Sequence, residues 1–268
     1  MKEKNCTCKQ NESELMTGIK LVTKFLQTLV DLDDKDSISI TEESVEMMKE
    51  KLSSFIVKED PERDFVLDND ALSFNDLLWL IDNGHVSNLL LGKRVAIHNP
   101  LCKNKYWVVI GVNHDGTKNT VDLRAEVASL DEGVKFNYEN NKYNKYKDSD
   151  ISKVIKKLVE GFSQTVKDRL ATMDIVTNGE IIKSKIKLLS MTELGLEDYS
   201  KYIEKGEGNP YPFLTHRVKD SNGNYVGWAT RSCNTGCRTN MWYVGSSGDV
   251  TNSIYSNTYS VVPTIRVS

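Results

Sequence analysis

Residues 221–260 contain no Lys, no Glu and one Asp (Asp249), and 27 of these 40 residues are Gly, Ser, Thr, Asn or Tyr. Clusters of Asn, Gly and Ser favour turns and cut such a stretch into short pieces. The pieces between them read as short strands at Tyr225–Thr230 and Met241–Val244, with a last strand at Val261–Val267. Tyr supplies rigid amphipathic area, and Ser, Asn and Gly supply adaptable hydrogen bonding. The stretch is composed like a contact surface and unlike a catalytic pocket. The first 60 residues, with 22 charged side chains, read instead as ordinary solvated helix.

At 268 residues the chain has room for one or two domains with a sizeable core. Hydrophobic content of 39% and charged content of 27% are ordinary for a soluble globular protein. A net charge of -3 argues against nucleic-acid binding, which needs a basic face. The basic clusters at Lys142–Lys147 and Lys153–Lys157 are diluted by acids or polar residues and read as solvated surface. No run approaches the ~20 apolar residues that span a bilayer, so no membrane segment is expected. The N-terminus, MKEKNCTCKQNESE, has positive charge without an apolar stretch behind it, unlike a secretory signal. The protein is therefore expected to be made, and to fold, in a cytosol. The cysteines are Cys6, Cys8, Cys102, Cys233 and Cys237, and an odd number in this setting favours free thiols. Cys6 and Cys8 are too close for the usual two-residue metal knuckle. Cys233 and Cys237 bracket Asn-Thr-Gly; a loop disulfide and two small turn residues both fit them.

Near the N-terminus, Leu15, Ile19, Val22, Leu26 and Leu29 follow a 4, 3, 4, 3 spacing. That is one stripe of a helix in a coiled-coil pattern. A second helix is expected from Thr41, with Val45, Met48, Leu52, Phe55 and Ile56 on its face. The expected organisation is a helical hairpin at 1–60 for attachment or oligomerisation, a linker at 61–71 containing Pro61, and a domain at 72–268. Packing of the hairpin on its own chain is the alternative to docking.

In the middle, Ser73–Asp82 reads as a helix with Phe74, Leu77, Leu78 and Ile81 on one face, ended by Asn83-Gly84. Strands are expected at Lys93–His98, Tyr106–Val112 and Thr120–Val127, the last with Val121, Leu123, Ala125 and Val127 alternating inward. Asp115-Gly116 between the latter two is a hairpin signal. Further helices are expected from Asp148 (Ile151, Val154, Ile155, Leu158) and from Phe162 to Leu170, then a strand at Ile181–Leu189 and a long loop region at Leu194–Leu214. Strands, then helices, then strands again indicate an α+β fold.

Several pieces stand in a telling order: Tyr106-Trp107-Val108-Val109-Ile110 with His114-Asp115-Gly116, Tyr146–Ile151, Leu188–Glu193, Trp228-Ala229-Thr230-Arg231-Ser232, Trp242-Tyr243-Val244 and Val261–Val267. Over roughly residues 72–268 the order resembles a domain family of unknown function found in bacterial and phage proteins. The chain departs from it where Ala229-Thr230 replaces a single leucine and where Val262-Pro263 lacks a preceding arginine. That family is similar to C-type-lectin-like folds, which include the formylglycine-generating enzymes and the receptor-binding tips of some phages. The resemblance implies an α+β domain of short antiparallel strands and two helices. The charge-poor stretch 221–260 then falls where this fold displays its loops.

The chemistry weighed against that background is sparse. The formylglycine-generating enzymes use a cysteine pair in this region, but Cys233 and Cys237 lie one residue closer than that pattern and lack its Arg-Gly-Gly-Ser context. His85, His98, His114 and His216 are scattered and read as structural or surface residues. No Gly-x-Ser-x-Gly elbow, P-loop or Glu-Pro-Asn calcium–sugar motif is present. No metal ligand set and no cofactor is expected, and no catalytic residue is assigned. Trp228, Arg231, Trp242, Pro263 and Arg266 are expected to hold the sheet. Asn234, Thr235, Arg238, Asn240, Tyr243, Asn252, Tyr255, Asn257 and Tyr259 are the expected ligand contacts.

These features favour a phage virion appendage protein (tail, baseplate or head fibre), assembled in the host cytoplasm. It would be a homo-oligomer bound to other virion proteins and to a host cell-surface receptor, a glycan or wall polymer. The alternatives are a decoration or baseplate component that touches only virion proteins, and an enzyme of the formylglycine-generating type.

Overall fold

The computed structural model describes residues 71–268 apart from Asp131, 139–144 and Arg238. The expected helical hairpin, its stripe Leu15, Ile19, Val22, Leu26 and Leu29, and Cys6 and Cys8 lie outside the described residues, as does Arg238. The chain divides into two units, Met1–Val66 and Leu67–Ser268, and the second is the subject here.

The domain is mixed α+β, with most of its elements strands. Strand β1 (Ala71–Ser73) runs into helix α1 (Phe74–Asp82). Ser73 caps that helix: its hydroxyl accepts from the Asp76 N–H, and the Asp76 carboxylate accepts from the Ser73 N–H in return. Leu77 and Ile81 are buried on the face the spacing predicts. Strands β2 (Arg94–Ala96), β3 (Tyr106–Val112) and β4 (Val121–Ala125) follow. Between β3 and β4 the chain does not make the two-residue hairpin that Asp115-Gly116 suggests. It loops through Asn113, Asp115, Gly116 and Asn119, all in left-handed backbone conformations that Asn, Asp and Gly tolerate best.

After β5 (Val134–Lys135) come helices α2 (Asp150–Leu158), capped by Ser149, and α3 (Gln164–Arg169), capped by Ser163. The described residues thus hold three α-helices, one more than the lectin-like layout implies. The additional element is α1, whose own cap and apolar face specify it locally. Strands β6 (Met173–Thr177) and β7 (Glu180–Ser184) form a hairpin at Asn178-Gly179, both with positive φ. The expected strand at Ile181–Leu189 divides into β7 and β8 (Ile186–Lys187), because β7 pairs with β6 and β8 crosses to the main sheet. Residues 188–217 carry no helix or strand, in line with a long loop region. The rest is β9 (Val218–Lys219), β10 (Tyr225–Val226), β11 (Trp228–Cys233), β12 (Asn240–Val244), β13 (Val250–Ile254), β14 (Thr258–Tyr259) and β15 (Thr264–Val267). Gly227 separates β10 from β11, where one strand was expected. Pro263 delays the last strand to Thr264.

The main sheet has the order β1-β2-β3-β4-β15-β8, and a three-stranded sheet has the order β11-β12-β13. Strand β4 was expected to be polar on one side. Instead all five of its residues are buried. Leu123 joins Val95, Trp107, Ile186 and Ile265 in the larger apolar cluster, together with residues of α1, α2 and α3. Asp122 and Arg124 alternate with it, and through the register they share their face with Thr264 and Arg266 of β15 and Lys187 of β8. A buried polar layer therefore lies behind the apolar one. Asp122 is neutralised by a two-point pair with Arg266, at 2.5 and 2.7 Å, and accepts the Tyr211 hydroxyl at 2.9 Å.

Candidate binding face

Strand β12 sits between β11 and β13, so its side chains divide between two surfaces. Met241 and Tyr243 point to the smaller apolar cluster, and Trp242 and Val244 to the larger. In the ladder, Asn240 lies opposite Ile254 and Trp242 opposite Asn252. Directly opposed residues share a face, so Asn240, Trp242, Asn252 and Ile254 stand together. The Asn240 amide donates to the Asn252 carboxamide oxygen at 2.9 Å.

Part of the loop region is docked on this surface. Trp242 Nε1 donates to the Tyr202 carbonyl oxygen at 3.2 Å, and the Thr235 N–H donates to the same oxygen at 2.9 Å. Ile203 bridges Asn234. The Tyr199 ring meets Trp242 edge-on, with centroids 6.4 Å apart and planes at 82°. Gly236 is required here, since a Cβ on it would come within 2.4 Å of the Tyr202 ring. Trp242 is buried beneath, while Tyr199 and Tyr202 remain 61% and 44% exposed. The result is an aromatic patch edged by Thr235, Asn240 and Asn252.

A set of buried charges fixes that loop on either side of Tyr202. Arg231 of β11 is fully buried. Its guanidinium pairs with Glu193 and donates to the carbonyl oxygens of Leu188 (2.8 Å) and Glu207 (2.5 Å). Lys187 takes the other Glu193 oxygen at 2.6 Å. Burial alone would raise the Glu193 carboxyl, but Arg231 and Lys187 overcome it and hold it down at about 2. Burial raises the Glu207 carboxyl, which is bonded by the Ser232 hydroxyl. Arg231 thus holds loop 188–211 at Leu188, Glu193 and Glu207, and Trp242 holds it between them at Tyr202.

The expected contact residues separate into three groups. Thr235, Asn240 and Asn252 belong to the face just described. Tyr243 and Asn257 are on the opposite side, where Tyr243 packs on Tyr259 at 4.7 Å and Asn257 bonds Ser253 at 2.6 Å. Asn234, Tyr255 and Tyr259 are buried, which corrects the expectation that they meet a ligand. The Asn234 side-chain oxygen accepts from the N–H groups of Gly236 and Cys237 and shapes the turn. Tyr255, 1% exposed, stacks on Phe136 at 5.1 Å. Trp228, Arg231, Trp242, Pro263 and Arg266 are all buried. The residues that reading along the chain missed are Tyr199 and Tyr202; two tyrosines in a Lys- and Glu-rich loop carried no signal of their own. Among the described residues, no group of three or more His, Cys, Asp or Glu is placed to hold a metal ion.

Residues 117–268 match the family described as Domain of unknown function (DUF6273). The chain belongs to that family. No curated protein and no solved structure matches the chain. Every residue of the aromatic face lies within the part matched as DUF6273, as do the Arg231 cluster and Cys233 and Cys237. Cys102, Cys233 and Cys237 form no disulfide among the described residues. Burial pushes the Cys233 thiol up to about 11, whereas Cys237 is exposed and its hydrogen bond with Thr239 lowers it.

Proposed function

We propose that this DUF6273 domain is a lectin-like receptor-binding module of a phage virion appendage, which binds a host-surface glycan or wall polymer through the face at Tyr199, Tyr202, Thr235, Asn240 and Asn252. One observation carries the reading: two exposed tyrosines adjoin a buried tryptophan, Trp242, which meets the Tyr199 ring edge-on and bonds the Tyr202 backbone, and they are edged by amides and a hydroxyl. Aromatic rings receive the apolar face of a sugar ring, while amides both donate to and accept from its hydroxyls. Rigid aromatics bind at low entropic cost. Thr235, Asn240 and Asn252 carry no charge, which suits a ligand rich in hydroxyls, and the cation beside them is Lys201, over the Tyr202 ring at 5.1 Å. A single shallow site of this kind is weak, and repetition on a particle turns weak sites into useful avidity. In this reading the N-terminal segment joins copies to one another and to other virion proteins.

Thiol chemistry of the formylglycine-generating type is disfavoured by the raised Cys233 thiol, since the thiolate is the reactive form. A component that touches only virion proteins is the competing reading, favoured by the same exposed aromatic surface. Labelled full-length protein, multimerised and mixed with a panel of bacterial cells, separates them. Saturable binding to cells, competed by their wall polymers, supports the receptor reading. Cross-links confined to other virion proteins, without cell binding, support the competing one.

A further inference from the structure

The buried polar layer of the main sheet holds a cation, Arg124, whose hydrogen bonds go to Thr215 and not to a carboxylate. Across the sheet, Arg94 of β2 stands opposite Val108, Val108 opposite Arg124 of β4, Arg124 opposite Thr264 of β15, and Thr264 opposite Lys187 of β8. The three last-named polar residues share one face, and Arg124, Thr264 and Lys187 are each at least nine-tenths buried. The neighbouring acids are already committed. Glu126 is held by Arg94 in a two-point pair at 2.9 Å. Asp122 is held by Arg266, and Glu193 by Lys187 and Arg231. Arg124 has no carboxylate contact among the described residues. Its two terminal nitrogens donate to the carbonyl oxygen and hydroxyl of Thr215, at 2.6 and 3.2 Å. On β4 and β15 of this face, Arg124 Nε and Thr264 Oγ1 have no hydrogen-bond partner. Burial drives the Arg124 guanidinium down to about 10, and the charge of Glu126, itself paired with Arg94, offsets this only in part.

We propose that Arg124 and Thr264, with Lys187 beyond them, form a buried site for one small monovalent anion of halide type. Arg124 Nε and the Thr264 hydroxyl supply two donors from directly opposed residues of neighbouring strands, whose Cβ atoms lie about 5 Å apart in such pairs. Lys187 supplies positive potential from the far side of Thr264. Bound there, the anion neutralises Arg124 and so secures Thr215, and with it the segment leading to Arg217, against the sheet. A larger oxyanion is disfavoured, because Thr215 already takes both terminal nitrogens of Arg124 and leaves no two-point grip.

The test uses the full chain with bromide as the probe. Crystals soaked in sodium bromide are expected to show an anomalous peak within hydrogen-bonding reach of Arg124 Nε and Thr264 Oγ1. Thermal unfolding is expected to rise by roughly 3–5 °C in bromide at ten times its Kd, compared with sodium gluconate at equal ionic strength. Arg124→Met removes that difference, and Thr264→Val, nearly isosteric, weakens it. If Arg124→Met does not fold, the native crystals and Thr264→Val decide alone. No anomalous peak at this position, together with equal melting in bromide and gluconate, overturns the proposal.

Discussion

Trp242 of β12 donates its indole N–H to the backbone carbonyl oxygen of Tyr202, 3.2 Å away and 40 residues earlier in the chain. This bond ties an exposed aromatic loop to the sheet beneath it, so the frame and the contact surface are two sides of one residue pair.

Trp242→Phe keeps a ring but deletes the donor. The Tyr202 oxygen still accepts from the Thr235 N–H, so the loss is partial. We expect about 1–2 kcal/mol lower stability by urea denaturation. Hydrogen exchange at residues 199–203 should quicken more than in β3.

Gly236→Ala places a methyl group within 2.4 Å of the Tyr202 ring. The ring has to move, at about 1–3 kcal/mol. Its expected signature is a change in tyrosine near-ultraviolet circular dichroism together with weaker cell binding, while the main sheet keeps its far-ultraviolet signal.

Glu193→Gln removes the one acid shared by Lys187 and Arg231 and leaves two buried cations. Removing one partner of a buried pair costs about 3–5 kcal/mol. The pH dependence has a defined sign. Glu193 is held at about 2 against an ordinary 4.5, so its contribution is present above 4.5 and is lost as pH falls from there towards 2. That window corresponds to about 3 kcal/mol at 1.36 kcal/mol per pH unit. Urea midpoints from pH 6 to pH 2 should fall steeply in the native protein and less steeply in the variant.

Iodoacetamide at pH 8 should label Cys237 well before Cys233. The buried thiol at about 11 has roughly 100-fold less thiolate than one at or below 9. Peptide mapping by mass spectrometry against time reads the order directly; equal rates would mean that Cys233 is reached by solvent.

Elements specified by nearby residues were legible in the sequence. Strand β3 is legible in full at Tyr106–Val112 because its apolar run is continuous, and α1 because Phe74, Leu77, Leu78 and Ile81 form one face that Asn83-Gly84 ends; the Ser73–Asp76 cap appears only in the structure. Strand β6 was missed although Asn178-Gly179 marks its turn, since Met-Asp-Ile-Val-Thr is short and only half apolar. Strand β13 was missed because Val-Thr-Asn-Ser-Ile is an edge strand with mostly polar side chains. The burial of Asp122 depends on Arg266, 144 residues away, and no local spacing reveals that partner. The same holds for the face: Thr235, Asn240 and Asn252 were found from composition, but Tyr199 and Tyr202 reach them only through tertiary docking. Composition also could not distinguish the exposed Asn252 from the buried Tyr255, since alternate residues on β13 and the turn after it face opposite ways.

The central claim is that the Tyr199–Tyr202 face over Trp242 binds a glycan. A titration of full-length protein, native and with Tyr199→Ala and Tyr202→Ala combined, against an array of bacterial wall polymers and surface glycans tests it most directly. The account predicts saturable binding of the native protein to at least one glycan, weakened at least about 10-fold in the double variant by loss of two stacking surfaces, with the melting temperature nearly unchanged. Glycan binding that survives the double variant at full strength, or no glycan binding by the native protein, would contradict it.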